Sequence, residues 1–215
     1  MGLANFRASQ GWLGRWKRRF NVLFKTYKGE SADADVPASD TWKMTVLPQL
    51  LTDYAPQDRY NADETAIFFK ALQRGSHVLS GHQAHGGKEQ KARITCLFIV
   101  NEDGSDRTFF VVGRSEKPRG FSGHVPTSYF ANKKAWMTRT IWSTIIHQLD
   151  GRMRRDGRNI VLVIDNASCH FIDPPLTNIN IVSLPPNTTA LAQPLDQGII
   201  KCIKARYRRQ FHRKK

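Results

Sequence analysis

The apolar positions change their period twice along the chain. Over residues 9–20, Trp12, Leu13, Trp16 and Phe20 fall on one face at helical spacing. Ser9 is placed to cap that helix, and Arg15, Arg18 and Arg19 lie largely off the stripe. Residues 28–41 are polar, with Gly, Ser, Asp and Pro, and read as a linker. An apolar segment over 42–54 is interrupted by Pro48, which predicts a helix on at least one side of the proline. From residue 59 the pattern is that of strands. One is expected over 59–69, and two more over 94–100 and 108–113. The last two form a hairpin, because Gly104 after Asp103 permits a positive φ. Residues 133–149 return to helical spacing, with Trp136, Ile141, Trp142, Ile145, Ile146 and Leu149 on one stripe. Residues 160–164 are continuously apolar, the mark of a strand buried on both faces. A short strand over 179–184 and an amphipathic helix over 196–212 close the chain. This order predicts a mixed α/β sheet with helices packed on it.

Composition narrows the class. The 215 residues suffice for one full domain and a short appendage. No apolar run approaches the roughly 20 residues of a membrane span, so no membrane partner is expected, and the N-terminus has no signal-like apolar core. Cys96, Cys169 and Cys202 form no CxxC pair, which suits a reducing compartment. Charge changes the picture most. The net charge is +15, and it is concentrated at the ends. Residues 1–28 hold seven bases and no acid, residues 201–215 hold eight bases and no acid, and the middle is neutral. Two basic ends on a neutral body point to a polyanion, most simply nucleic acid. A basic protein with solvated charged faces gives the same pattern.

Three carboxylates stand where elements end. Asp63 lies within the first strand, Asp165 directly follows the 160–164 strand, and Asp196 begins the last helix, where the helix dipole favours an anion. A carboxylate at a buried strand end is costly unless it meets a cation. Three gathered acids repel, so some hold a proton until a cation neutralises them. Mg²⁺ takes such oxygen ligands and accepts phosphate oxygens as well. Two ions roughly 3.5–4 Å apart activate an attacking oxygen and stabilise a leaving one. Taken singly, each Asp is more often a cap or a solvated surface group.

The wording around the acids is specific. Tyr60-Asn61-Ala62-Asp63-Glu64-Thr65, Asp165-Asn166-Ala167-Ser168-Cys169-His170 and Leu184-Pro185-Pro186-Asn187-Thr188-Thr189 with Gln193-Pro194-Leu195-Asp196-Gln197-Gly198-Ile199-Ile200 stand in order. They resemble the three acidic segments of pogo/Tigger-type transposases. Lys117-Pro118-Arg119 and Asn132-Lys133-Lys134-Ala135-Trp136-Met137-Thr138 are similar to the region between them. The resemblance runs with gaps from about Trp42 to Lys204. It implies the DDE superfamily, with a ribonuclease-H-like mixed five-stranded sheet flanked by helices. It also implies cut-and-paste transposition of DNA with Mg²⁺ or Mn²⁺, two ions, in the nucleus, with a homodimer possible. The three catalytic, metal-holding acids fall on Asp63, Asp165 and Asp196. Glu64 should face the other side of the strand and is not counted as a ligand. Asn166 and His170 orient Asp165, contact phosphate, or serve only the turn.

A second resemblance lies at the start. Phe6 to Phe20 looks like the end of the second helix-turn-helix unit in centromere-protein-B-type DNA-binding domains. The bihelical region that precedes this helix in those proteins does not occur in these residues, and such transposases usually continue further beyond the third acid. A fragment of a longer protein is therefore expected. The implied division is a helix-turn-helix remnant over 1–28, a linker and short helix over 29–57, and the endonuclease domain over 58–215. Candidate contacts to the DNA backbone are Arg15, Lys17, Arg18 and Arg19 at one end and Lys204, Arg206, Arg208 and Arg209 at the other. The competing expectation is a domesticated or decayed transposase that binds DNA without cutting it. His77, His82 and His85 match no common zinc spacing, and Cys169 beside His170 on a turn is a poor thiol–imidazole pair.

Overall fold

The computed structural model describes residues 9–20, 34–69, 92–119, 125–171 and 175–213. The chain divides into two compact units, Met1–Asp33 and Ala34–Lys215. In the first, α1 (Gln10–Arg19) forms where its apolar stripe and its cap predict it. The Ser9 hydroxyl accepts from the Trp12 backbone N–H at 3.1 Å. Trp12 and Trp16 stack one turn apart with ring centres 6.2 Å apart.

The second unit opens with α2 (Val36–Thr45) and α3 (Leu47–Asp53). Both sides of Pro48 are helical. The proline sits in the first turn of α3, where a missing N–H leaves no helical hydrogen bond unmade. Trp42 and Leu50 bury against Val161 and Leu184. Residues 34–57 thus pack as part of the same unit as the sheet.

The sheet contains β1 (Arg59–Phe68), β2 (Arg93–Asn101), β3 (Arg107–Gly113), β4 (Tyr129–Ala131), β5 (Ile160–Ile164) and β6 (Ile179–Ser183). Their order is β4-β3-β2-β1-β5-β6. The strands β1, β2 and β3 form an antiparallel meander, whereas β5 runs parallel to β1 and β6 parallel to β5. These five strands are the expected ribonuclease-H-like sheet. A sixth, the three-residue β4, extends it by pairing parallel to β3. Three residues are too few to show a period of two in sequence, so β4 left no pattern to read. The hairpin between β2 and β3 turns at Gly104, with φ +72°.

One face of the sheet is covered by α4 (Arg139–Arg155). Its Trp142, Ile145, Ile146, Leu149 and Met153 pack on Tyr60, Ala62, Leu97, Ile99, Ile160, Leu162 and Ile164. The helix starts six residues later than its apolar spacing suggests. Asn132 holds the preceding loop non-helical: its side chain accepts from the N–H groups of Lys134 and Trp136 and donates to the Trp136 carbonyl. Ala135 takes a φ of +52°, and Thr138 then caps the helix. Trp136 is consequently 54% exposed instead of joining the buried stripe.

After β6 come α5 (Thr189–Ala192), a 3-10 turn over Pro194–Asp196, and α6 (Ile199–Arg213). Gly198, with φ +122°, separates the turn from α6. No described helix is long and apolar enough to cross a membrane.

Candidate functional site

Strand alternation and register bring two of the acids together. β1 pairs β5 in parallel with Asn61 opposite Val163. Two residues on, Asp63, on the face away from α4, comes level with Asp165, the residue that follows β5. Asp63 is buried at 6% exposure, while Asp165 is half-buried.

Asp196 is delivered by a clamp of buried amides. The Asn61 side chain donates to the Val163 carbonyl and to Gln193 Oε1, both at 2.9 Å. Gln193 Nε2 donates to the Ala62 carbonyl at 2.8 Å, and the Leu195 N–H donates to Asn61 Oδ1 at 3.1 Å. Gln193 and Leu195 have no exposed surface. The turn is therefore pinned to β1 just before Asp196, which is itself exposed. Asp196 does not begin the last helix as its sequence context suggested. It ends the 3-10 turn, three residues ahead of α6, because Gly198 breaks the helical path.

The electrostatics follow from this placement. Burial, and then the negative charges of Asp196, Glu64 and Asp165, push the Asp63 carboxyl up to about 8. Its Oδ2 is buried without a hydrogen-bond partner among the described residues. A buried carboxylate oxygen left unpaired beside two other acids is an arrangement that a hard divalent cation would relieve. The residues present fit such an ion.

Asp165 behaves oppositely. Burial would raise its pKa, but the hydrogen bond and charge of His170, with the Ala167 N–H, outweigh burial and hold it low. His170 Nδ1 lies 2.8 Å from Asp165 Oδ1, and Nε2 lies 3.0 Å from Glu64 Oε1. The imidazole stacks against Trp142, 4.1 Å between ring centres. Burial works against a charge on His170, yet its bonds to Asp165, Cys169 and Glu64 prevail and raise its pKa strongly. It lies between two carboxylates, which favour its protonated form. Glu64 thus faces the α4 side, as alternation requires, and serves through His170.

Cys169 does come close to His170: the ligand atoms of Glu64, Cys169 and His170 lie within 4.8 Å of one another. Both ring nitrogens are engaged by carboxylates, so this trio offers no imidazole lone pair to a metal. Asn166 is exposed. Sequence reasoning left the Asn61–Gln193 clamp and the Glu64–His170 bridge unseen. Their signal was present only as polar residues inside apolar strands and turns.

The basic candidates do not converge on the acids as one group. Arg15, Arg18 and Arg19 are exposed on α1, with Lys17 half-buried, in the separate N-terminal unit. Arg206, Arg208 and Arg209 are exposed on α6, and Lys204 is half-buried near Cys96 of β2. His77, His82 and His85 lie outside the described residues.

A family model described as "DDE superfamily endonuclease" matches residues 91–215. The chain belongs to this family. Within the family it is of the pogo/Tigger type. It is 31% identical over 211 residues to Tigger transposable element-derived protein 4 of Mus musculus, covering 97% of this chain and 41% of that protein. It is 27% identical over 232 residues to major centromere autoantigen B of Homo sapiens, covering 97% and 38%. The chain thus spans about two fifths of the length of these relatives. Among solved structures, the fold resembles the Mos1 mariner paired end complex with Mn, with a TM-score of 0.53 at 14% identity over 91% of this chain and 56% of that one. The Mos1 transposase paired-end complex with left transposon end gives 0.51 at 13% identity over 92% and 56%. This fold is the ribonuclease-H-like arrangement that the resemblance to pogo/Tigger-type transposases implied.

Proposed function

We infer that this chain is the catalytic core of a transposase that cleaves DNA phosphodiesters and transfers strands, with Asp63, Asp165 and Asp196 as its metal-holding acids. The observation that carries this reading is Asp63 Oδ2, buried and unpaired, level with Asp165 and next to the pinned turn of Asp196. Similar folds, solved with Mn and with a transposon end, support it. Two Mg²⁺ or Mn²⁺ ions, when bound, would supply the positive charge that activates an attacking oxygen and stabilises the leaving one. The chain's own residues do the rest. Asp63 would hold an ion as the ionised carboxylate. Asp165, whose Oδ1 is fixed by His170 and the Ala167 N–H, would hold the cation beside it. Asn61 and Gln193 hold Asp196 in place. The bases of α6 take DNA phosphates, half-buried Lys204 with exposed Arg206, Arg208 and Arg209, as do Arg15, Lys17, Arg18 and Arg19 of α1 in a nuclear setting.

The test is cleavage of a labelled duplex by the purified chain with Mg²⁺, Mn²⁺ or chelator, beside Asp165→Asn. Metal-dependent nicking that the variant loses is the expected result. Cleavage by Asp165→Asn at the wild-type rate would overturn the assignment. A second reading, a derived protein that binds DNA without cutting it, is favoured by relatives named as element-derived and centromeric proteins. Salt-sensitive binding with neither Mn²⁺ uptake nor cleavage would select it.

A further inference from the structure

Away from the acids, a groove of about 410 Å³ is lined by Phe68, Arg93, Arg114, Lys133, Lys134 and Trp136. Among the described residues its lining holds four bases and two aromatic rings and no acid. The rings are exposed, Phe68 at 46% and Trp136 at 54%. Arg93 lies 4.9 Å and Lys134 5.7 Å from the Trp136 ring centre.

The wall of this groove is built rather than loose. Asn132 ties the loop through three hydrogen bonds to the backbone of Lys134 and Trp136, and its own N–H donates to the Gly113 carbonyl at 3.0 Å. Thr95 donates to the Ala135 carbonyl at 2.7 Å, and Ala135 is fully buried in a left-handed conformation, φ +52°. Strain of that kind persists only where the surroundings over-determine it. Here it turns Lys133, Lys134 and Trp136 outward together.

We propose that this groove binds an unpaired strand of DNA, with one or two bases stacked on Trp136 and Phe68 and the phosphates held by Arg93, Arg114, Lys133 and Lys134. The charge calls for a polyanion, and the exposed rings call for a flat apolar partner. A single strand offers both, whereas the bases of a duplex are already stacked on one another. Phe68 is five residues along β1 from Asp63, roughly 17 Å at about 3.3 Å per residue. By strand alternation Phe68 shares the side of Glu64 and not that of Asp63, so the groove is a surface distinct from the one that carries the acids. The choice of occupant rests on the DNA reading proposed above.

The experiment is fluorescence anisotropy in chelator, so that nothing is cut. It compares a blunt duplex with the same duplex carrying an eight-thymidine single-stranded tail. The full chain should bind the tailed DNA about tenfold more tightly. Trp136→Ala should lose that preference, Trp136→Phe should keep most of it, and neither should change binding of blunt duplex. Trp136 is exposed, so the truncation opens no core cavity. Bromodeoxyuridine in the tail should cross-link to the peptide carrying Trp136 or Phe68. Equal binding of tailed and blunt DNA by the wild type, or an unchanged preference in Trp136→Ala, would overturn the proposal. So would an acidic peptide that competes as well as the tail. Cleavage lost in Asp165→Asn but without tail preference would sink the groove and leave the enzyme reading standing. Tail preference without cleavage would do the reverse.

Discussion

At the scale of single residues, the site is a set of charges placed at unequal depth. Asp63 is buried, Asp165 half-buried and Asp196 exposed. Asp63 is pushed far up, to about 8 from an ordinary 3.8. Between those values the folded chain keeps a proton that the unfolded chain has released. Stability from this group is therefore full below about pH 4 and is lost as pH rises through about 8. His170 adds a slope of the same sign, but only above its ordinary 6.5. Melting temperatures in chelator should fall from about pH 5 to 6 in the wild type and stay level in Asp63→Asn over that window. At pH 8 the variant should melt higher than the wild type without metal, and Mn²⁺ should raise only the wild type. A wild-type melting curve indifferent to pH would contradict the buried, unpaired carboxyl. His170 makes the opposite kind of contribution. Removing it leaves Asp165 and Glu64 facing a hole beside Trp142. Urea denaturation of His170→Ala should show a loss of about 3–5 kcal/mol, the usual cost of breaking a buried ion pair.

At the scale of elements, the Asn61 clamp joins β1, β5 and the turn of Asp196. Three of its four hydrogen bonds would go in Asn61→Ala, and a buried Gln193 amide would lose a partner. Each unsatisfied buried group costs about 1–3 kcal/mol. Gln193→Ala is the milder probe, since Asn61 keeps its bond to Val163. It should weaken Mn²⁺ binding about 10- to 100-fold in calorimetry, with β1 intact by circular dichroism. An unchanged affinity would mean that Asp196 is held by something else. The elements also show where sequence was readable. β1, β2, β3, β5 and β6 were legible because their apolar positions alternate or run unbroken over five residues or more. The start of α4 was not, because the Lys133 to Trp136 stretch has helical spacing while Asn132 and Ala135 impose a turn by hydrogen bonding and φ. The three acids were legible from the segments around them. The bridge from Glu64 to Asp165 was not, because His170 reaches Glu64 across 106 positions of sequence that carry no trace of the pairing.

At the scale of the molecule, charge and core are separate systems. The core under α4 is apolar and centred on Trp142, which is fully buried. Trp142→Ala should cost about 3–5 kcal/mol and also unseat His170. The net charge of +15 lies mostly outside that core, on the two ends. Replacing Arg206, Arg208 and Arg209 by Gln should therefore leave the melting temperature nearly unchanged. The same change should make duplex binding less steep in salt, by about 0.9 in the log–log slope for each phosphate no longer neutralised. A slope that does not move would remove α6 from the DNA interface.

The two neighbouring acids of β1 have a last consequence. Asp63 looks to one side of the sheet and Glu64 to the other, and each side has a partner that fits only that residue. Such a strand works like a key cut on both edges. Inserting or deleting one residue would exchange the two carboxylates, aiming the longer one at the pinned turn and the shorter one at the imidazole. The fold could survive that exchange while both jobs failed. Variation in length within this family should accordingly collect in the loops and spare the ten residues of β1.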